Sequence, residues 1–168
     1  MYILGDVIDR GPDGIRILKW IMLQPNVELL LGNHEAMLLA CDFIFDEVTE
    51  EAISKLTGTK LNIFSTWISN SGQVTLDVLS GMRDKEIQYI LEYLRERPLY
   101  EAITVNNKDF ILVHSGLGSF RKDKKLSEYN LMICFGPDLT STHNILMILR
   151  LCLVIPLLCA MVMNILAK

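Results

Sequence analysis

Three apolar runs in this chain each stop at a glycine-bearing loop. Tyr2-Ile3-Leu4 ends at Gly5-Asp6, Val27 to Leu31 ends at Gly32-Asn33-His34-Glu35, and Phe110 to His114 runs into Ser115-Gly116. Near-continuous apolar runs of this length read as buried strands. The first is expected to be the end of a strand whose earlier part is missing. Between the first two runs, Gly11-Pro12-Asp13-Gly14 predicts a turn. Ile15, Leu18, Ile21 and Met22 then recur at helical spacing, with Asp13 placed to cap, until Pro25-Asn26 breaks the helix.

A second helix is predicted from Ala36 to about Phe45, and the polar stretch Asp46 to Lys60 reads as a surface excursion. Phe64 to Leu79 is expected to be helical in pieces around Ser71-Gly72. Ile87, Ile90, Leu91 and Leu94 mark an amphipathic helix that ends before Pro98. Leu99 to Val105 and Phe110 to His114 flank Asn106-Asn107, two residues that tolerate positive φ, which is a hairpin signal. Strand, helix, strand, helix and then a hairpin predict an α/β layered domain with a mixed sheet.

Composition changes this picture mainly at the end of the chain. Of 168 residues, 51% are hydrophobic, and the mean hydropathy of +0.31 owes much to the stretch after Asn144. Ile145 to Ala167 is interrupted only by Arg150, Pro156 and Asn164. That is about the ~20 residues a membrane span needs. A buried core element, an interfacial helix and an aberrant translated frame are the alternatives. The net charge of −4 argues against a nucleic-acid partner, whose footprint would be basic. Cys41, Cys134, Cys152 and Cys159 form no CxxC pair, and no signal peptide is expected before them, the apolar start Met1 to Leu4 being too short for one. They read as reduced packing cysteines of a cytoplasmic chain, with membrane association through 145–167 left open.

The loops that end the strands carry side chains suited to one task. Ligands at strand C-terminal ends are where open α/β sheets build their sites. Hydrolysis of a phosphate ester needs a nucleophilic water, charge neutralisation and a protonated leaving group, and a pair of metal ions supplies the first two. Asp6 can bridge two cations, Asn33 offers an amide oxygen, and His114 an imidazole nitrogen. Such mixed donors suit Mn, Fe or Zn better than Ca. Arg10 has the fork geometry for phosphate oxygens. His34 could protonate the departing oxygen, with Asp9 holding its ring. Each residue also has a plainer reading: a turn aspartate, a hydrogen-bonded structural histidine, a surface ion pair. Glu35 reads as a first-turn residue that favours the helix dipole rather than as a ligand. Three such loops together make coincidence a poor explanation.

Gly5-Asp6-Val7-Ile8-Asp9-Arg10-Gly11, Gly32-Asn33-His34-Glu35 and His114-Ser115-Gly116-Leu117 resemble successive signature motifs of the phosphoprotein phosphatase family, within the calcineurin-like metallophosphoesterases. Trp67-Ile68-Ser69-Asn70-Ser71-Gly72 followed by Thr75 resembles the W-x-x-N-G-G-x-x-T segment of bacterial members, with Ser71 in place of a glycine. The resemblance implies an α/β (α+β) fold: a layered β-sandwich with mixed sheets, flanked by helices. It implies Asp6 as the bridging ligand, Asn33 and His114 as ligands of one metal, Arg10 on phosphate, and His34 as general acid paired with Asp9. It also implies two divalent metal ions, manganese first and iron or zinc as alternatives, and a phosphorylated protein or small phosphoester as substrate.

The departures from the pattern shape the expectation as much as the matches. Members carry an earlier G-D-x-H-G motif and a later G-H-T-P motif that complete the other metal's shell. Neither is present here, so one site is expected to be incomplete. Leu131 to Leu139 resembles a W-x-R-P segment without its Trp or Arg, and the context of His143 matches no motif. Residues 1–139 are therefore expected to form a partial metallophosphoesterase domain. Residues 140–168 would be an atypical apolar tail, a membrane segment or the product of a frame shifted after about Tyr129. The leading expectation is a serine/threonine-type phosphatase. The alternatives are a dinucleoside-tetraphosphate hydrolase, whose related stretch usually has Asp where Glu35 stands, and a catalytically inactive remnant.

Overall fold

The computed structural model describes residues 1–115. The charged loop 121–125, three of the four cysteines, His143 and the apolar tail all lie outside the described residues. Among the described residues, no helix is long and apolar enough to cross a membrane.

The first strand, β1 (Tyr2–Ile3), leads through the Gly5–Arg10 loop to helix α1 (Gly14–Met22). A return strand, β2 (Glu28–Leu29), pairs with β1 in parallel, Tyr2 opposite Glu28 and Ile3 opposite Leu29. The Leu30 amide continues the ladder by donating to the Ile3 carbonyl at 2.8 Å. Only part of the Val27–Leu31 run is regular strand, because the Leu31 amide instead donates to Pro98 at 2.8 Å. α1 buries Ile15, Leu18 and Ile21, the stripe expected from its spacing. Asp13 stands at its N-cap without making the capping bond; it pairs with Arg16 at 3.1 Å instead.

Helix α2 (Asn33–Ala40) begins at the second loop itself, so three loop residues are already helical. Residues 34 to 39 are all buried, which makes α2 a core helix rather than an amphipathic one. A 3-10 turn at Asp42–Phe45 continues it, so the single helix expected to reach Phe45 is two pieces. The polar excursion is also more ordered than expected. It holds α3 (Glu50–Ser54) and the start of α4 (Gly58–Trp67), and Thr49 and Thr57 cap them by accepting from the Ala52 and Lys60 amides.

The expected break after α4 is a wide turn, Ile68–Gly72, in which Asn70 and Ser71 leave helical geometry and Ser71 takes φ +74°. Helix α5 (Gln73–Ser80) follows, then α6 (Asp84–Arg95) with Ile87, Ile90, Leu91 and Leu94 buried. The hairpin is β3 (Tyr100–Val105) and β4 (Lys108–Val113), antiparallel, with Tyr100 opposite Val113. Asn106 and Asn107 close it at φ +52° and +59°, the geometry of a type I′ turn.

The domain is thus mixed α/β. Among the described residues its strands form two separate two-stranded ladders, one parallel and one antiparallel. α2 lies among α4, α6 and the 3-10 turn in one apolar core, with Trp67, Leu38, Leu79, Leu91 and Leu94 fully buried. That core fixes the start of α2, which carries Asn33, His34 and Glu35, and the end of α4, which carries Trp67.

Candidate functional site

The loops after β1 and β2 meet backbone to backbone. Gly5 takes φ +76°, and a side chain there would overlap the Gly32 backbone. A Cβ on Gly32 would stand 2.6 Å from the Asp6 amide nitrogen and 2.7 Å from both the Asp6 Oδ1 and the Glu35 Oε2 atoms. Only glycine at both positions lets the Asp6 loop lie against the start of α2. Asp6 and Asp9 themselves have φ of +57° and +76°, in the left-handed region that non-glycine residues occupy at a cost.

Glu35 holds that loop in place. Its side chain is fully buried, and its carboxylate accepts from the backbone amides of Asp6 (2.8 Å), Val7 (2.7 Å), Ile8 (3.4 Å) and Gly32 (3.0 Å). The Gly32 bond is the reach-back arm of a capping box, since Glu35 is the third residue of α2. The other three bonds cross to the neighbouring loop. First-turn placement was readable from the sequence; this second function was not, because it depends on a contact 27 to 29 residues away.

Three donor atoms converge at one end of this platform. The His114 Nε2 atom lies 2.8 Å from the Asn33 Oδ1 and 3.3 Å from the Asp6 Oδ1. His114 Nδ1 is hydrogen-bonded to the Leu4 carbonyl, which can only accept, so the ring proton belongs on Nδ1. A neutral His114 then turns the lone pair of Nε2 toward two oxygens that also carry lone pairs. Such a cluster calls for a cation or a second proton. Ligands about 2.1 Å from one ion at right angles are about 3 Å apart, close to the separations seen here. The donor set therefore fits a divalent metal. Among the described residues, no three His, Cys, Asp or Glu side chains form a metal-holding group, and Asn33 is what completes this set.

A second cluster lies beside the first. His34 is buried, and its Nδ1 is 2.8 Å from the Asp9 Oδ2. Trp67 Nε1 donates to the same oxygen at 2.9 Å, and the Asp9 amide donates to Thr75 Oγ1 at 3.0 Å. Asp9 is fully buried, and its Oδ1 has no hydrogen-bond partner among the described residues. The hydrogen bond to Asp9 raises the His34 pKa above the ordinary imidazole value. Burial opposes the shift, and the negative charge of Asp6 adds to it. The His34 Nε2 atom faces the Asp6 Oδ2 at 3.9 Å and the Arg10 Nη2 at 3.3 Å. Arg10 also pairs with the Asp6 Oδ2 at 3.0 Å, while its side chain stays 68% exposed.

All six residues picked out from the sequence thus come together: Asp6, Asn33 and His114 in one cluster, His34 and Asp9 in the next, and Arg10 between them. Trp67 and Thr75 were noted as parts of a segment, without a role. Both meet at Asp9, Trp67 at its carboxylate and Thr75 at its amide.

A sequence profile of the calcineurin-like phosphoesterases matches residues 1–150. Among curated proteins, the chain is similar to the symmetrical bis(5′-nucleosyl)-tetraphosphatase of Acidovorax sp. strain JS42, 32% identical over 70% of this chain and 34% of that protein. The protein of the same name from Acidovorax ebreus is 31% identical over 70% of this chain and 34% of its own length. That of Buchnera aphidicola subsp. Baizongia pistaciae is 25% identical over 70% and 33%. The chain spans about a third of the length of these curated relatives. Their names are those of tetraphosphatases, where the sequence motifs had suggested protein phosphatases. On the strength of the profile match and the Acidovorax relatives, the chain belongs to the calcineurin-like phosphoesterase family.

Proposed function

We propose that this chain carries part of the site of a metal-dependent hydrolase acting on a dinucleoside tetraphosphate, which it would split into nucleoside diphosphates. The observation that carries the hydrolase reading is the convergence of the Asp6, Asn33 and His114 donor atoms beside the buried His34–Asp9 pair. The substrate class comes from the named relatives, which share 25–32% identity over 70% of the chain.

Asp6, Asn33 and His114 would hold a divalent metal. Metal ions bound there would supply a nucleophilic water and neutralise charge on the phosphate. Arg10 would bind non-bridging phosphate oxygens through its exposed fork, exchanging its contact with Asp6 for one with substrate. His34 would hold a proton at Nε2 and pass it to the leaving oxygen, with Asp9 and the Trp67 N–H fixing the ring.

A phosphoprotein is the second reading, and one observation favours it. The buried Asp9–His34 pair is built as an acid, which the poor alkoxide leaving group of a phosphoserine needs more than a nucleoside diphosphate does. The full chain should be assayed with Mn²⁺ on a dinucleoside tetraphosphate, a phosphopeptide and an aryl phosphate. Nucleoside diphosphate release that His34→Ala slows supports the first reading. Phosphopeptide turnover that His34→Ala abolishes supports the second. No Mn²⁺ binding and no turnover of any substrate would overturn both.

A further inference from the structure

We infer that Glu35 is a positioning residue that sets metal affinity by holding the Asp6 loop in its left-handed conformation. This rests on the reading of Asp6 as a metal ligand. Asp6 lies at φ +57°, in the left-handed region that an L-residue's Cβ makes costly, and the loop around it contains no regular ladder. One carboxylate takes three successive amides of this loop, those of Asp6, Val7 and Ile8. Glu35 Oε1 takes the Val7 and Ile8 amides, and Oε2 takes the Asp6 and Gly32 amides.

The arrangement has two consequences. First, both oxygens are needed. An amide in place of the carboxylate would turn an NH₂ group toward two N–H donors, so Glu35→Gln loses one pair of bonds whichever way it sits. Either loss frees part of the loop, at Asp6 and Gly32 or at Val7 and Ile8, so the Asp6 carboxylate is held less firmly relative to Asn33. Second, the hydrogen-bond partners of this buried carboxylate among the described residues are all backbone amides. Its charge sits next to the loop that bears Asp6 and favours cations there. Partners one step behind the ligands commonly change metal affinity by about 10–100-fold when removed.

The test uses the full chain and Mn²⁺ alone, with titration calorimetry for affinity and amide hydrogen exchange for the loop. Glu35→Gln should bind Mn²⁺ at least about tenfold more weakly, and exchange at Val7 and Ile8 should quicken in the metal-free protein. Leu94→Ala, a cavity in the fully buried part of α6, serves as the control for stability. It should lower stability and leave Mn²⁺ affinity within about twofold, since Leu94 makes none of the hydrogen bonds that hold the Asp6 loop. If Glu35→Gln fails to fold, Glu35→Asp takes its place. Its shorter arm keeps the charge but cannot span both loops, so the same weakening is expected. A folded Glu35 variant that binds Mn²⁺ as tightly as the wild type overturns this inference alone, as does unchanged exchange at Val7 and Ile8. A wild-type chain that binds no Mn²⁺ overturns the functional reading together with it.

Discussion

Trp67 Nε1 donates a hydrogen bond to the Asp9 Oδ2 at 2.9 Å, both residues being fully buried. Asp9 has to be held from several sides. It carries a charge into the core at φ +76°, and one of its oxygens has no hydrogen-bond partner among the described residues. Trp67→Phe keeps the ring and removes the donor. Hydrogen bonds to charged groups contribute about 1.5–3 kcal/mol, so a loss of about 2 kcal/mol is expected in urea unfolding. Near-wild-type stability would mean that the bond is not formed in solution.

Ser71 sits at φ +74° in the turn between α4 and α5, where an L side chain crowds its own backbone. Ser71→Gly should therefore stabilise the protein by about 1 kcal/mol, and Ser71→Val should destabilise it by a similar amount or more. Equal melting temperatures for all three would show that the turn adopts another geometry.

Gly5→Ala adds a methyl group where the Gly5 and Gly32 backbones touch, at a φ of +76°. Both loops must part to admit it. Overpacking of this kind costs about 1–3 kcal/mol. Because Asp6 and Asn33 lie one residue beyond the contact, Mn²⁺ affinity should fall with stability. Retained affinity would detach the glycine contact from the metal cluster.

Burial pushes the Cys41 thiol up to about 12, with Asp42 and Asp9 adding to it. Its folded pKa is raised above the unfolded one, so the stability it contributes is fully present below the ordinary thiol value. That contribution is lost as pH rises toward 12, because the unfolded chain ionises first. Stability should decline above about pH 9, and Cys41→Ala should flatten that decline. Site-resolved mass spectrometry should also find Cys41 unalkylated at pH 8 until denaturant is added.

Local pattern and distant contact divide what the sequence discloses. Apolar spacing was enough for α1 and α6, and the paired asparagines were enough for the β3–β4 turn, because each depends on neighbours a few residues apart. The meeting of Asp6, Asn33 and His114 was legible because each follows a strand that ends at a glycine-bearing loop. The ordered α3 and the early start of α2 at Asn33 were not legible, since short helices with mixed composition carry little periodic signal. The roles of Glu35, Trp67 and Thr75 were hidden for a different reason. A carboxylate reaching across to another loop looks, along the chain, like any glutamate in a first helical turn.

The hairpin has a consequence of its own. Most of β3 and β4 is only partly buried or exposed, yet β4 delivers His114 to Asn33 across 81 residues and to the Leu4 carbonyl across 110. A ligand gripping Asp6, Asn33 and His114 together would work as a clasp between distant parts of the chain. Its binding energy would then count directly toward keeping the hairpin docked, rising with the logarithm of ligand concentration. Protease cleavage at the exposed Asn106-Asn107 tip would become a readout of clasp occupancy, slow when the grip is closed and fast when it is released.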